Sequence, residues 1–345
     1  MDDMTFLLVS GFFSSGSSAA VDLLKEFRGA YECTAEIRTI KDPYGICQME
    51  DALVNHWELI NSSAAINDFL NLSRICSRKG GGRNPFARAG LNYEKTIHPD
   101  FMKITREYVG KLTKFEYKSD FYYSKFKKSY PRYVLDRCRT GLEIATKGKL
   151  KVANRKKLLP CYFAKPTQDE FNVATQEYFA KLYEDKIKGL DGAFVIMDQA
   201  VSPNNTQVIH RYFKKAKMII VDRDPRDMYI DDIVNWGENL EDDRSTAAAG
   251  MRYVMRQHAL RDSMVLDTDI LYIRFEDLIL NYEETTDRLL AFLNLTREDH
   301  LQKQRYLKPE RSAKNIGIWK KYYAEYKDAL DVITQELPDL CYERD

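Results

Sequence analysis

The chain has 345 residues, 44% hydrophobic and 30% charged, with a formal charge of +1. These are globular proportions on a chain long enough to bury a substantial core, and they exclude a disordered tail or a low-complexity polymer. The longest early apolar run, Phe6–Val9, is far too short for a membrane span or a signal core, and Asp2 and Asp3 flank it wrongly. Cys33, Cys47, Cys76, Cys138, Cys161 and Cys341 contain no C-x-x-C pair. They read as reduced thiols, so the expectation is a cytoplasmic protein with no metal site.

In chain order, the first element is Thr5–Ser10, an apolar run of β character, followed by the small-residue loop Gly11–Ser18 and a helical pattern with Val21, Leu24 and Phe27 on one face. A loop of this kind between strand and helix directs backbone N–H groups into a concavity, where the helix dipole adds positive potential. The hydroxyls of Ser14, Ser15, Ser17 and Ser18 add donors, so the expected ligand is a phosphate-like anion. Gly11 and Gly16 match the glycines of G-x-x-x-x-G-K-[ST], but Ser17 occupies the Lys position, which argues against ordinary ATP or GTP hydrolysis. Next, Tyr31–Ile40 reads as a second short strand, closed by the turn signal Lys41-Asp42-Pro43-Tyr44-Gly45.

From about residue 48 to 188 the pattern is mainly helical, broken by Gly80-Gly81-Gly82, Pro85, Pro131 and Pro160. The near-neutral total hides an asymmetry here. Asn71–Lys157 holds 23 Lys and Arg against 7 Asp and Glu, a net of +16, so the remainder carries −15. Such a bias suggests an anionic partner, and the tyrosines among the cations suit stacking on sugar rings. No recognised nucleic-acid module is present. Strand signals return at Ala193–Met197, Lys217–Val221 and Leu271–Phe275, separated by helical stretches near Asn204–Lys214 and Glu283–Leu293. Short apolar strands alternating with helices predict an α/β fold whose mainly parallel, doubly wound sheet is covered on both faces. Ligands of such sheets bind beyond the carboxyl ends of the strands, where the first loop and Arg223 both fall.

Four phrases in order resemble those of PAPS-dependent sulfotransferases, which use 3′-phosphoadenosine-5′-phosphosulfate as sulfuryl donor. They are the Gly11–Ser18 loop, Arg223-Asp224-Pro225-Arg226-Asp227 after a strand, Phe275-Glu276-Asp277-Leu278, and the loop Arg311–Lys320 with its Gly317-Ile318-Trp319-Lys320 ending. The resemblance covers roughly residues 4–40 and 190–325 and implies a P-loop-like fold. It places the donor's 5′-phosphosulfate on Phe13, Ser14, Ser15, Gly16, Ser17 and Ser18, and its 3′-phosphate on Arg223, Arg311 and Lys314. Ala35-Glu36-Ile37-Arg38 resembles the K-E-x-H phrase of carbohydrate (heparan-type) members, which implies Glu36 as the base that deprotonates an acceptor hydroxyl. The implied acceptor is a saccharide or anionic polysaccharide, the implied product PAP, and no metal is implied. One α/β domain over residues 1–345 is expected, with 48–188 a basic helical insertion that binds acceptor.

Two departures stand out. Ser14 replaces a Lys or Arg that many members carry, and Asp231 replaces a phosphate-binding Ser eight residues after the gripping Arg. They keep open a non-catalytic nucleotide- or polyanion-binding module on the same fold. A P-loop phosphotransferase is the other alternative.

Overall fold

The computed structural model describes residues 4–12, 14–33, 36–80, 89–119, 121, 129–147, 158–190, 192–235, 254 and 268–342. Its centre is a parallel sheet built from β1 (Thr5–Gly11), β2 (Ala30–Glu32), β5 (Phe194–Asp198), β6 (Ala216–Asp222) and β7 (Ile270–Arg274), in the order β2-β5-β1-β6-β7. Each strand falls on a stretch with strand character in the sequence. The second is shorter than the run Tyr31–Ile40 suggested, because residues 38–41 wind into a helical turn.

β1 is apolar throughout because both of its faces are buried. Phe6 and Leu8 join one core while Leu7 and Val9 join the other. On the first face Phe6 packs between Phe213, at a centroid distance of 4.8 Å, and Tyr183, at 5.9 Å. On the second face lies α1 (Ser17–Leu24), whose Ala20, Val21, Leu23 and Leu24 are buried against the sheet.

The described residues of 48–188 are mostly helical, with long helices Leu59–Ser77, Phe101–Leu112 and Gln168–Tyr183, the last opened by a Thr167/Glu170 capping box. They also contain an antiparallel pair, β3 (Thr113–Ser119) with β4 (Leu159–Ala164), which the sequence reading did not anticipate. Pro160, expected to break a helix, sits inside β4 opposite Lys118. A two-stranded sheet is all edge, so a missing N–H is tolerated there. Phe115 stacks on Phe163 at 4.8 Å, and the pair docks on the long helix through a bond from Tyr162 N to Ser63 Oγ at 3.1 Å. In the helix Tyr130–Ala145 no residue is buried. No helix among the described residues is long and apolar enough to cross a membrane.

One buried carboxylate ties the amino-terminal unit to a segment near the other end of the chain. Glu26 is 0% exposed and accepts from the backbone N–H groups of Gln304 at 2.8 Å, Tyr306 at 2.8 Å and Leu307 at 3.0 Å. His300 Nε2 lies 2.8 Å from the same carboxylate. Glu26→Gln keeps the shape but turns an amide toward donors, leaving at least one buried N–H unpaired. Stability is expected to fall by about 2–3 kcal/mol. A urea midpoint unchanged from wild type would show that the tie is dispensable.

Candidate active site

At the carboxyl ends of β1, β5 and β6 the chain opens into two clefts of about 920 and 820 Å3, which share Gly16, Ser18 and Asp231 as lining residues. The wall between them is the first loop. Its backbone turns sharply: Ser14 has φ 50° and Gly16 φ 82°. Gly16 is required twice over, since it is left-handed and a Cβ there would fall 2.4 Å from Cδ2 of Phe275. No side chain caps the start of α1 at Gly16, which leaves the helix's positive end to the clefts.

The serines divide their work. Ser15 Oγ is buried with no hydrogen-bond partner among the described residues. Ser17 Oγ lies 3.5 Å from Asp198 Oδ1 and accepts from Gln199 Nε2 at 2.9 Å. Ser18 is exposed and faces both clefts. The Ser14 hydroxyl donates to Asp232, so a carboxylate already takes the proton at the position where related sequences put a cation. Phe13 lies outside the described residues.

Arg223 follows β6 and is 2% exposed. Its Nη1 donates to the Ser14 carbonyl at 2.8 Å and to Asp231 Oδ2 at 2.9 Å, and its Nη2 donates to the Asn315 carbonyl at 2.6 Å. Its Nε, also buried, has no hydrogen-bond partner among the described residues. Asp231 is therefore turned toward the guanidinium rather than away from it. The second Arg of the phrase does different work: Arg226 is bound by Asp224 at 2.6 Å and lies 4.2 Å over the Trp319 ring.

The sequence phrases are hydrogen-bonded to one another. Asp227 accepts from Gly317 N at 2.7 Å and Trp319 N at 3.1 Å, which moors the last loop to the Arg223 phrase. Glu276, 0% exposed, accepts from Asp224 N at 2.7 Å, and Phe275 lies under Arg223 at 5.1 Å. Burial pushes the carboxyls of both Asp227 and Glu276 above their ordinary values. The last loop brings Arg311 and Lys314, both exposed, to the 820 Å3 cleft. The sequence reading missed Arg305, Tyr306 and Lys308 on the same wall, because only the Glu26 tie brings that segment there.

Glu36 lines the larger cleft, exposed and ion-paired with Arg38, which also reaches Asp42 at 3.3 Å. Its carbonyl accepts from the buried Tyr93 hydroxyl. The same cleft holds Asp198 and Lys41, which carried no phrase in the sequence. A signal existed, since Asp198 directly follows the strand run Ala193–Met197. Among the described residues, none lining either cleft comes from 71–157. No group of three or more metal-ligating side chains occurs among the described residues.

Adding a methyl at Gly16 combines a left-handed backbone with a clash against the Phe275 ring. Gly16→Ala is expected to destabilise the protein by about 2–4 kcal/mol. A denaturation midpoint equal to wild type would show that the loop relaxes freely.

No curated protein sequence matches this chain. Among solved structures it is similar to a sulfotransferase domain from the Synechococcus PCC 7002 olefin synthase, at 11% identity and TM-score 0.42, covering 99% of this chain and 96% of that one. Sulfotransferase STF9 from Mycobacterium avium matches at 13% identity and TM-score 0.37, covering 94% and 76%. Retinol dehydratase, in a complex with androsterone and the inactive cofactor PAP, matches at 18% identity and TM-score 0.31, covering 49% and 60%. Scores of this size carry no argument of their own. The sequence model of the sulfotransferase family, however, matches residues 78–299, well over half of the chain. The chain belongs to the sulfotransferase family.

Proposed function

We propose that the protein moves a sulfuryl group from PAPS to an acceptor hydroxyl and releases PAP. The observation that carries this reading is a pair of buried donors without a partner among the described residues, Ser15 Oγ beside the larger cleft and Arg223 Nε beside the smaller one. Unpaired buried donors are rare, and one beside each cleft fits a ligand that carries acceptor oxygens at both of its ends. The 5′-phosphosulfate lies along Ser14–Ser18 over the start of α1, and the 3′-phosphate meets Arg223, Arg311 and Lys314. Phe13 belongs to the same loop. Such transfers need mainly positioning and charge stabilisation, which amides, hydroxyls and guanidinium supply.

The acceptor's proton passes to a carboxylate of the larger cleft, which Glu36 and Asp198 both line. For the acceptor itself, a saccharide or anionic polysaccharide is supported by the +16 excess over Asn71–Lys157, within a 48–188 insertion in one α/β unit. The walls at the transfer point argue for a neutral hydroxyl there. Five carboxylates, of Glu36, Asp42, Asp198, Asp231 and Asp232, share that cleft with two cations, Arg38 and Lys41. A second reading, a PAP-binding module without turnover, is favoured by the carboxylates that already engage Arg223 and Ser14.

Calorimetry with PAP, ATP and GTP tests the donor. PAP is expected to bind most tightly, and Arg223→Ala to weaken it about ten- to a hundredfold, the value of a charge-assisted phosphate contact of about 1.5–3 kcal/mol. Equal binding of all three nucleotides, or unchanged PAP affinity in a folded Arg223→Ala protein, would sink the assignment.

Asp231 should act in the opposite sense. Asp231→Asn removes a carboxylate competing with phosphate for Arg223, so PAP should bind about tenfold more tightly, while the ligand-free protein loses about 1–3 kcal/mol with its ion pair. Weaker PAP binding in that variant would mean that Asp231 orients Arg223 rather than competing with the ligand.

A further inference from the structure

Glu36 and Asp198 line one cleft in very different settings. Asp198 ends β5 and stands beside Val9 in the parallel register, next to the loop that is proposed to hold the donor. Its Oδ1 is 3.5 Å from the hydroxyl of Ser17, the first residue of α1. That hydroxyl accepts from Gln199 Nε2 at 2.9 Å, and Gln199 Oε1 accepts from Lys41 Nζ at 3.0 Å. A chain of polar contacts thus runs from Lys41 through Gln199 and Ser17 to Asp198. Gln199 has φ 54°, a left-handed backbone that a non-glycine residue keeps only when its surroundings hold it, as Gln199 N donating to the Val9 carbonyl at 2.8 Å does. Glu36, by contrast, is exposed and its carboxylate is engaged by Arg38.

We propose that Asp198, held by Ser17, is the group that takes the proton from the acceptor hydroxyl. The inference rests on the sulfuryl-transfer reading above. As the acceptor oxygen forms its bond to sulfur, an Asp198 oxygen takes the hydroxyl proton. The bond from sulfur to the bridging oxygen breaks, and its electron pair leaves on the 5′-phosphate. The products are a sulfate ester, PAP and protonated Asp198, which returns its proton to water.

The groups that face Asp198 set its basicity. Ser17 and Gln199 touch it or its neighbour; Glu36, Arg38, Lys41 and Asp42 come from the segment after β2; Asp231 and Asp232 come from the helix Pro225–Val234. Burial first, then the Glu36 charge, push Asp198 up to about 6, against the Lys41 ammonium and the Ser17 hydroxyl. Such a carboxyl is ionised at neutral pH yet more basic than an ordinary aspartate, as a general base near its working pH should be. Its base form is lost as pH falls, so turnover should drop through about pH 6.

The test measures transfer from PAPS to two probes: 4-nitrophenol, whose hydroxyl ionises unaided near neutral pH, and 2-(4-nitrophenyl)ethanol, whose hydroxyl does not. Asp198→Asn should lower kcat toward the alcohol by about a hundred- to ten-thousandfold, and toward the phenol by less than about tenfold. Equal losses on both probes would mark a structural role and overturn the proposal, as would an undiminished rate with the alcohol. Glu36→Gln should move the acid limb to lower pH; if it abolishes turnover while Asp198→Asn does not, Glu36 is the base.

A readout independent of acceptor is NMR titration of protein with isotope-labelled aspartate carboxyls. One signal should titrate near pH 6, vanish in Asp198→Asn and shift down in Glu36→Gln. Loss of no such signal in Asp198→Asn overturns the proposal even if neither probe is turned over. Absence of PAP binding to the wild-type protein would overturn the donor reading and this proposal with it. A bound donor with a silent Asp198 would overturn the proposal alone.

Discussion

The site depends on one buried guanidinium. Arg223 must keep a charge in a place that is 2% exposed, which is possible only because the Ser14 and Asn315 carbonyls and the Asp231 carboxylate surround it. Those three acceptors come from the first loop, the helix after β6 and the last loop. Satisfying Arg223 therefore brings three distant segments together, and the shape of both clefts follows from that demand. The unpartnered Nε is what remains after the chain's own acceptors have been used.

The chain also places buried carboxylates that receive backbone N–H groups. Asp227 holds the last loop, Glu276 holds the turn after β6, and Glu26 holds the segment at Gln304–Leu307. A carboxylate that accepts several amide bonds fixes a loop without relying on the loop's own side chains. Tight mooring of this kind lets the last loop present the exposed Arg311 and Lys314 to the cleft.

Much of this was legible in the sequence. The three central strands, β1, β5 and β6, show as apolar runs because a strand buried on both faces must be largely apolar. The phrases around Arg223, Phe275 and Gly317 were readable for a related reason: their residues bond to one another, so each phrase constrains the next. What stayed hidden depends on contacts across space. Glu36 was singled out from a local phrase that also holds its ion-pair partner Arg38, and only the fold shows Asp198 in the same cleft. The β3–β4 pair was missed because β3 is mostly exposed and lacks an apolar run, while Pro160 near the start of β4 reads as a break. Asp231 reads as a repulsive intruder on a phosphate site; in the fold it is the partner without which a buried Arg223 would stand uncompensated.

The place of β1 in the sheet has a consequence for how the protein is made. β1 is the central strand, and both of its hydrogen-bonded neighbours, β5 and β6, are encoded far downstream. The bond from Ser10 to the Val201 carbonyl spans 191 residues, and that from Leu307 N to Glu26 spans 281. During synthesis β1 emerges ahead of β5 and β6 and waits unpaired until they have followed it. Closing such long loops before any contact rewards them makes folding slow and leaves a sticky strand exposed meanwhile. β1 is thus synthesised before both strands that complete it, and stays dependent on them for its hydrogen-bond partners.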